Sequence, residues 1–80
     1  MNYNKYVKSA AWTEKSKRIR DHRGRCANCS RLHQLHVHHN TYRNLGSEIG
    51  EDVTVLCRWC HKLFHDNYIY DGRTHTFAPK

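Results

Sequence analysis

The pattern of apolar and polar positions predicts a helix in the first third of the chain. Trp12 and Ile19 lie two helical turns apart, so a helix that begins near Ala10 presents both on one face. Ser9 is a suitable N-cap for this helix, and Gly24 is a suitable residue for its C-terminal end. The residues before Ser9 are polar and aromatic and show no clear periodicity.

Two strands separated by a long loop are predicted in the middle of the chain. Residues 35–39 alternate apolar and polar side chains, which is typical of a half-buried strand. Residues 53–56 are β-branched and apolar and suit a second strand. The segment 40–52 contains Gly46, Gly50 and several polar residues, so we expect a loop there. Loops of this length in a compact domain are usually functional or disordered.

The C-terminal third of the chain is expected to contain a second helix and then a flexible tail. The helix should begin at the second cysteine pair and continue to about Tyr70, and residues 73–80 should form the tail. Because 80 residues make one domain at most, we interpret residues 1–80 as a single α+β domain with its core at about residues 10–70.

The composition indicates that an apolar core alone is a weak basis for this fold. Hydrophobic residues make up 38% of the chain, and the mean hydropathy is −0.98. A domain of this size buries only about 60% of the surface that its unfolded chain exposes. A structural metal or disulfides are the usual additional source of stability in such small domains.

The four cysteines form two Cys-x-x-Cys pairs, Cys26 with Cys29 and Cys57 with Cys60. Each pair can offer two thiolates to one tetrahedral ion, so together they predict a closed structural zinc site. The N-terminus lacks the apolar stretch of a signal peptide and the sequence has no membrane-spanning run. A cytoplasmic location is therefore expected, where disulfides are rare. Two disulfides or four unrelated cysteines are the alternatives.

The charge balance indicates a polyanionic partner. The chain has 14 Lys and Arg against 7 Asp and Glu, a net charge of +7 with neutral histidines. Nucleic acid is the commonest partner of a small basic domain, and a basic protein without such a partner is the alternative. Five basic residues lie on the first predicted helix and either contact phosphates or form a solvated face: Lys15, Lys17, Arg18, Arg20 and Arg23.

Four histidines have the spacing of a second metal site. His61 and His65 are four residues apart, so both imidazoles lie on one helical face and can bind one ion. His38 and His39 are adjacent in a predicted strand and point to opposite sides. This favours a division of labour, in which one histidine binds the ion and the other holds or deprotonates water. A wholly structural site that includes His36 is the alternative.

The order of these parts resembles the HNH family of nucleases. The resemblance covers residues 26–65 and rests on both cysteine pairs, on Val37-His38-His39, on Asp52 through Leu56, and on His61 and His65. The stretch His38-His39-Asn40-Thr41-Tyr42, with Gly46-x-Glu48 and Asp52, is most similar to small HNH proteins encoded by bacteriophages. The family implies a ββα-metal fold, here with a zinc-knuckle pair of four cysteines and an N-terminal helix.

The resemblance also implies a role for each histidine. His39 matches the family's general base, which takes a proton from the attacking water. His38, His61 and His65 match ligands of the catalytic divalent ion. Asp52 is placed with His39 among the catalytic residues, at the position of the family's middle Asn, which holds the loop in shape. Asp can accept the same hydrogen bonds but cannot donate them.

The expected activity is hydrolysis of DNA phosphodiester bonds by a monomeric endonuclease that nicks one strand. Mg²⁺ or Mn²⁺ is the expected catalytic ion, with Zn²⁺ or Ni²⁺ as alternatives, beside the structural Zn²⁺. Tyr42 and Arg43 are expected to join the basic helix in contacting DNA. The phage resemblance suggests a packaging or replication protein as a partner in the host cytoplasm. A non-catalytic zinc ribbon that binds nucleic acid, or an adaptor for an acidic protein, is the competing interpretation.

Overall fold

Three helices and two antiparallel hairpins make up residues 2–80, the part of the chain that the computed structural model describes. The elements are α1 (Tyr3–Val7), α2 (Ala10–Arg23), β1 (Leu35–His39), a 3-10 turn (Gly50–Asp52), β2 (Val53–Cys57), α3 (Arg58–Asn67), β3 (Tyr68–Asp71) and β4 (Thr76–Pro79). Strand β1 pairs with β2, and β3 pairs with β4. The predicted α+β class is confirmed. None of the described helices is long and apolar enough to cross a membrane.

Helix α2 begins and ends at the predicted residues. The Ser9 hydroxyl accepts a hydrogen bond from the Trp12 N–H at 3.2 Å. Gly24 closes the helix with a φ of 74°, which glycine adopts without strain. Trp12 is buried in an apolar cluster with Tyr6, and Ile19 packs against its edge. This cluster also includes a residue of β2, so it anchors α2 on the first hairpin.

Helix α1 is not evident from the sequence periodicity, because five residues are too few to show a pattern. The Asn2 side chain accepts a hydrogen bond from the Lys5 N–H at 3.2 Å and caps the helix. Tyr6 is buried, and its ring centroid lies 5.5 Å from that of Trp12. Tertiary packing of Tyr6 therefore accounts for this short helix better than intrinsic helix propensity does.

The first hairpin, β1–β2, contains both predicted strands. Val37 lies opposite Val55, and His38 lies opposite Thr54, in an antiparallel register. The adjacent residues His38 and His39 point to opposite sides of the strand, as expected. Helix α3 follows β2 without a connecting loop, which places the second cysteine pair at the junction of strand and helix.

The C-terminal segment differs from the prediction. Helix α3 ends at Asn67 rather than near Tyr70, and residues 73–80 are not a free tail, because most of them belong to the second hairpin. The aromatic and β-branched residues after Asn67 favour extended backbone. The Phe77 ring of β4 packs against the Phe64 ring of α3 with centroids 5.1 Å apart. This contact holds one face of the second hairpin against α3. The Asp71 carboxylate accepts a hydrogen bond from the Arg73 N–H at 2.9 Å in the connecting turn.

Candidate functional site

Four cysteines converge where the turn before β1 meets the start of α3. Their sulfur atoms all lie within 4.8 Å of one another, and Sγ of Cys29 is 3.6 Å from Sγ of Cys57. A tetrahedral ion with Zn–S bonds near 2.3 Å would place neighbouring sulfurs about 3.8 Å apart. All four cysteines are free thiols, so the disulfide alternative is not what the structure contains. Cys26, Cys29, Cys57 and Cys60 can therefore hold a zinc ion.

The surroundings prepare part of this cysteine group for the thiolate form. Burial raises the pKa of Cys26, but backbone N–H groups around its sulfur bring the value down to about 6. The side-chain amide of Asn28 donates to Sγ of Cys60 at 3.3 Å and lowers that pKa. The neighbouring sulfurs outweigh this and raise the pKa of Cys60 to about 11. Four thiolates this close repel one another, so a cation among them is required for all to be charged together.

Three histidines form a second group between the first hairpin and α3. His38 lies on β1, and His61 and His65 lie one turn apart on α3. One ring nitrogen of each lies within 4.8 Å of the others, and the two Nε2 atoms of His61 and His65 are 3.1 Å apart. An ion with metal–nitrogen bonds near 2.1 Å would hold neighbouring nitrogens about 3.0 to 3.4 Å apart. The three histidines that the sequence singles out as ligands therefore lie together.

His38 has a lone pair that no described residue uses. Its Nδ1 lies 3.3 Å from Oδ1 of Asn40, and that oxygen also accepts from the Thr54 hydroxyl at 3.0 Å. The amide nitrogen of Asn40 donates to the Glu51 carbonyl at 3.1 Å, so the amide is held in one orientation. Facing an oxygen, Nδ1 of His38 must carry the proton, and Nε2 keeps its lone pair. That Nε2 is buried and lacks a hydrogen-bond partner among residues 2–80, so it fits a metal ion.

Burial and the proximity of other imidazoles favour the neutral form of His38 and of His61. Burial lowers the pKa of His38 to about 4; Asn40 opposes this shift, and the neighbouring His65 and His39 add to it. Burial also lowers the pKa of His61 to about 4, and the surrounding imidazoles reinforce the effect. Neutral imidazole is the form that binds a metal, so the group is competent for binding at neutral pH.

His36, two residues before His38 on β1, contacts the edge of this group. Its Nδ1 lies 3.1 Å from Nδ1 of His61, which leaves Nε2 of His61 facing His65. When His61 donates its Nδ1 proton to His36, its Nε2 keeps a lone pair toward the other ligands. His36 therefore lies where it can set the tautomer of a ligand.

His39 lies on the other side of β1 and contacts a different set of residues. Its Nε2 is 2.7 Å from Oε2 of Glu48, and both side chains are 1% exposed. The His39 ring packs against the Trp12 ring at 4.5 Å between centroids, and Tyr3 meets it edge-on at 5.9 Å. Because an ionised carboxylate only accepts, the Nε2 of His39 carries a proton, and in the neutral imidazole this leaves the lone pair on Nδ1.

Glu48 is the functional residue that sequence reasoning missed as a partner of His39. Its Oε1 accepts hydrogen bonds from the Tyr6 hydroxyl at 2.9 Å and from Nζ of Lys15 at 3.0 Å. Burial alone would raise the pKa of Glu48, but the bonds from His39, its own backbone, Lys15 and Tyr6 lower it to about 2. The Gly46-x-Glu48 spacing marks the residue in the sequence, yet only the loop conformation brings it to His39.

Asp52 lies outside the histidine group and does not contact His39. Its Oδ2 accepts hydrogen bonds from the Asn44 side-chain amide and from the Ile49 N–H, both at 3.0 Å. The residue is 6% exposed and closes the loop that carries Glu48. This placement gives Asp52 a role in loop geometry.

The basic residues predicted to bind DNA separate into two sets. Lys15 and Arg23 turn inward: Lys15 pairs with Glu48, and Arg23 donates to the carbonyls of Gly50 at 2.7 Å and Val53 at 2.9 Å. Lys17 and Arg18 of α2 are exposed, and each is paired with an acid one turn away, whereas Arg20 is half-buried and contacts Ser16. Tyr42 packs against Tyr70 with centroids 4.4 Å apart and the rings tilted by 55°, and Arg43 is exposed in the loop.

Comparison with known proteins does not add a family: no protein-family model, curated protein or solved structure matches the chain. The chemistry of the site must therefore be argued from its own geometry. That geometry combines four cysteines, three imidazoles and a separate histidine–carboxylate pair around the first hairpin and α3.

Proposed function

We propose that this protein is a metal-dependent endonuclease of the HNH type that hydrolyses phosphodiester bonds in DNA. One observation carries the proposal: two adjacent histidines of β1 have different partners. His38 directs a buried lone pair toward His61 and His65, whereas His39 is held by the buried carboxylate of Glu48. A metal site beside a positioned imidazole is the combination that metal-assisted hydrolysis requires.

The arrangement of β1, β2 and α3 supports assignment to the ββα-metal class. An antiparallel hairpin is followed at once by a helix, and the three imidazoles lie between hairpin and helix. In this interpretation the cysteine group binds structural zinc. It is the more enclosed of the two groups, since Cys26 and Cys57 are almost fully buried, and a closed set of four thiolates leaves the ion no position for substrate.

His38, His61 and His65 would hold the catalytic ion. When bound there, a divalent ion would supply Lewis-acid stabilisation of the charge that develops on the phosphate and on the leaving oxygen. A set of three imidazoles favours Zn²⁺ or Ni²⁺ over Mg²⁺ on ligand chemistry, whereas the HNH resemblance favours Mg²⁺ or Mn²⁺. The metal series below distinguishes these ions.

His39 would act as the general base. With its Nε2 proton bonded to Glu48, its Nδ1 can take a proton from the water that attacks phosphorus. Glu48 remains ionised at neutral pH and stabilises the imidazolium that forms, while Trp12 limits rotation of the ring. As water adds to phosphorus, the bond to the 3′ oxygen breaks and that oxygen takes up a proton from solvent, which yields 5′-phosphate and 3′-hydroxyl ends.

A second candidate function is a non-catalytic zinc ribbon that binds nucleic acid. The specific observation in its favour is the burial of His39, whose side chain is 1% exposed beneath Tyr3 and Trp12. A general base must reach water, so catalysis requires Tyr3 and helix α1 to shift when substrate binds. The binding-module interpretation requires no such movement.

Cleavage of supercoiled plasmid separates the two candidates. Zinc-loaded protein is incubated with Mg²⁺, Mn²⁺, Ni²⁺, Zn²⁺ or a chelator, and nicked and linear products are followed on gels. The nuclease proposal expects metal-dependent nicking by the parent and none by a folded His39→Ala variant prepared in the same way. If the parent nicks under none of these ions, the nuclease assignment is wrong; if both proteins nick equally, His39 is not the general base.

A further inference from the structure

We infer that Arg31, Trp59 and Arg58 form a phosphate-binding surface for DNA outside the histidine site; we call it the arginine–tryptophan stack. The Arg31 guanidinium carbon lies 4.3 Å from the centroid of the Trp59 ring, and that of Arg58 lies 5.4 Å away. Trp59 is nevertheless 49% exposed. Two cations therefore lie beside an aromatic ring at the protein surface, within the range of cation–π attraction.

The two arginines of the stack have no acidic side chain as a partner within residues 2–80, although the thiolates of the neighbouring cysteine group would offset part of their charge. In contrast, Lys62 pairs with Asp66 and Arg73 pairs with Asp71. The sequence explains the difference, because residues 22–47 and 53–65 contain no Asp or Glu, and Arg31 and Arg58 lie in these two segments. Two exposed guanidiniums without acidic side-chain partners favour an anionic ligand, and a planar guanidinium fits phosphate oxygens in a bidentate way.

The stack is also held in place before any ligand binds. Arg31 follows the first cysteine pair and Trp59 lies inside the second, so the cysteine group fixes both segments. The Arg58 N–H donates to the Gln34 carbonyl at 2.9 Å, and its guanidinium lies 3.4 Å from the Gln34 side-chain oxygen. A guanidinium that is already oriented loses less conformational entropy when it binds phosphate.

The position of the stack indicates which part of the substrate it would bind. Arg58 precedes His61 by three positions and His65 by seven on α3, so the three side chains share a helical face. At 1.5 Å per residue the separation along the helix is about 5 to 10 Å. This corresponds to roughly two or three nucleotides of one strand. The identification of the ligand as DNA rests on the proposed function.

The test measures binding rather than cleavage. Fluorescence anisotropy of a labelled DNA duplex is recorded over a range of NaCl concentrations, with zinc-loaded protein and without added divalent metal. For Arg31→Ala/Arg58→Ala we expect about tenfold weaker binding, and a salt slope lower by about two units. The matched control is Lys62→Ala/Arg73→Ala, which removes the same charge from exposed residues that already have acidic partners. The control should stay within about twofold of the parent.

A second pair of variants separates the geometry of the stack from its charge. Trp59→Ala keeps both arginines but removes the ring, and we expect about threefold weaker binding; Trp59→Phe should retain most of the parent affinity. Equal losses in the arginine pair and in its control would reduce the effect to net charge and overturn the inference. An arginine pair that binds like the parent would overturn it too.

Folding and zinc content are checked by circular dichroism and elemental analysis for every variant. The two proposals can fail separately. If the parent never cleaves DNA but its DNA binding depends on the stack, the proposed nuclease activity is refuted and the proposed binding surface stands. If the parent cleaves DNA but the stack variants bind DNA as tightly as the parent, the proposed binding surface is refuted and the proposed nuclease activity stands.

Discussion

The cysteine group and the histidine group are built alike and differ in completeness. Each takes ligands from β1 or the turn before it, and each takes the rest from the region of α3. Cys26 and Cys57 are buried, and four sulfurs fill the shell of a tetrahedral ion. The histidine group has three members, which range from the buried His38 to the exposed His65.

This difference shows how a small hairpin and one helix could hold two metal ions in different environments. A full shell contributes its binding free energy to folding, whereas an incomplete shell leaves a position for substrate or water. The partners of the ligands differ as well. Backbone N–H groups surround the sulfur of Cys26, whereas side chains, Asn40 and His36, orient the imidazoles. Removal of each component should therefore have effects of different size and kind.

The largest effect should come from emptying the cysteine group. Zinc-loaded protein treated with an excess of a strong chelator should lose its cooperative thermal transition and its helical signal in circular dichroism, because the apolar clusters of so small a domain are weak. Cys57→Ala should show the same loss. Elemental analysis before treatment should find about one tightly held zinc per chain. A metal-free protein with an unchanged melting temperature would contradict this prediction.

The next largest effect should distinguish the base from a ligand. His39→Ala should lower the cleavage rate by about 10²- to 10⁴-fold without changing zinc content, because a positioned base contributes this much. His61→Ala should also lose cleavage, and a higher concentration of divalent metal should recover part of it. The same addition should leave His39→Ala inactive. Equal recovery in both variants would show that His39 acts as a metal ligand rather than as the general base.

A smaller effect is expected at the carboxylate behind His39. Glu48→Gln keeps the shape of the side chain but removes the charge that stabilises the imidazolium, so kcat should fall by about 10- to 100-fold with little change in KM. Glu51→Gln is a suitable control, since Glu51 is exposed and lies in the same loop. A rise in KM and a loss of stability with an unchanged kcat would assign Glu48 a purely structural role.

The smallest effect should appear at His36, which touches the ligand His61 and not the substrate. His36→Ala should weaken binding of Co²⁺ or Ni²⁺ by about tenfold in calorimetry, because loss of an orienting partner typically costs this much. His36→Asn, whose amide oxygen can accept the same proton, should recover part of the affinity. His33→Ala, an exposed histidine of the preceding turn, serves as the control.

Much of the fold and of the metal chemistry follows from local signals in the sequence. The Ser9 cap, the Gly24 stop and the alternation in residues 35–39 each involve neighbours in the chain, and the structure confirms the elements that they predict. The two cysteine pairs are also local signals, and their meeting requires only that β1 and β2 form a hairpin.

The remaining features depend on tertiary contacts that sequence patterns do not encode. Glu48 reaches His39 only because the loop, closed by Asp52, folds back over α2. The second hairpin is held in place because Phe77 packs against Phe64, and these two residues are 13 positions apart in the sequence. The inward turn of Lys15 has the same origin, since its carboxylate partner lies 33 residues away.

Because His38 and His39 point to opposite sides of β1, the proposed function requires a fixed register between β1 and β2. Side chains alternate along a strand, so a slip of one residue in the pairing with β2 would send each histidine to the other's surroundings. The lone pair of His38 would then face Trp12, and His39 would face α3. Insertions or deletions before His38 in this strand should therefore be tolerated in steps of two or as a β-bulge that restores the register. The register of β1 therefore limits which insertions and deletions this strand can accept, in addition to the chemistry of its side chains.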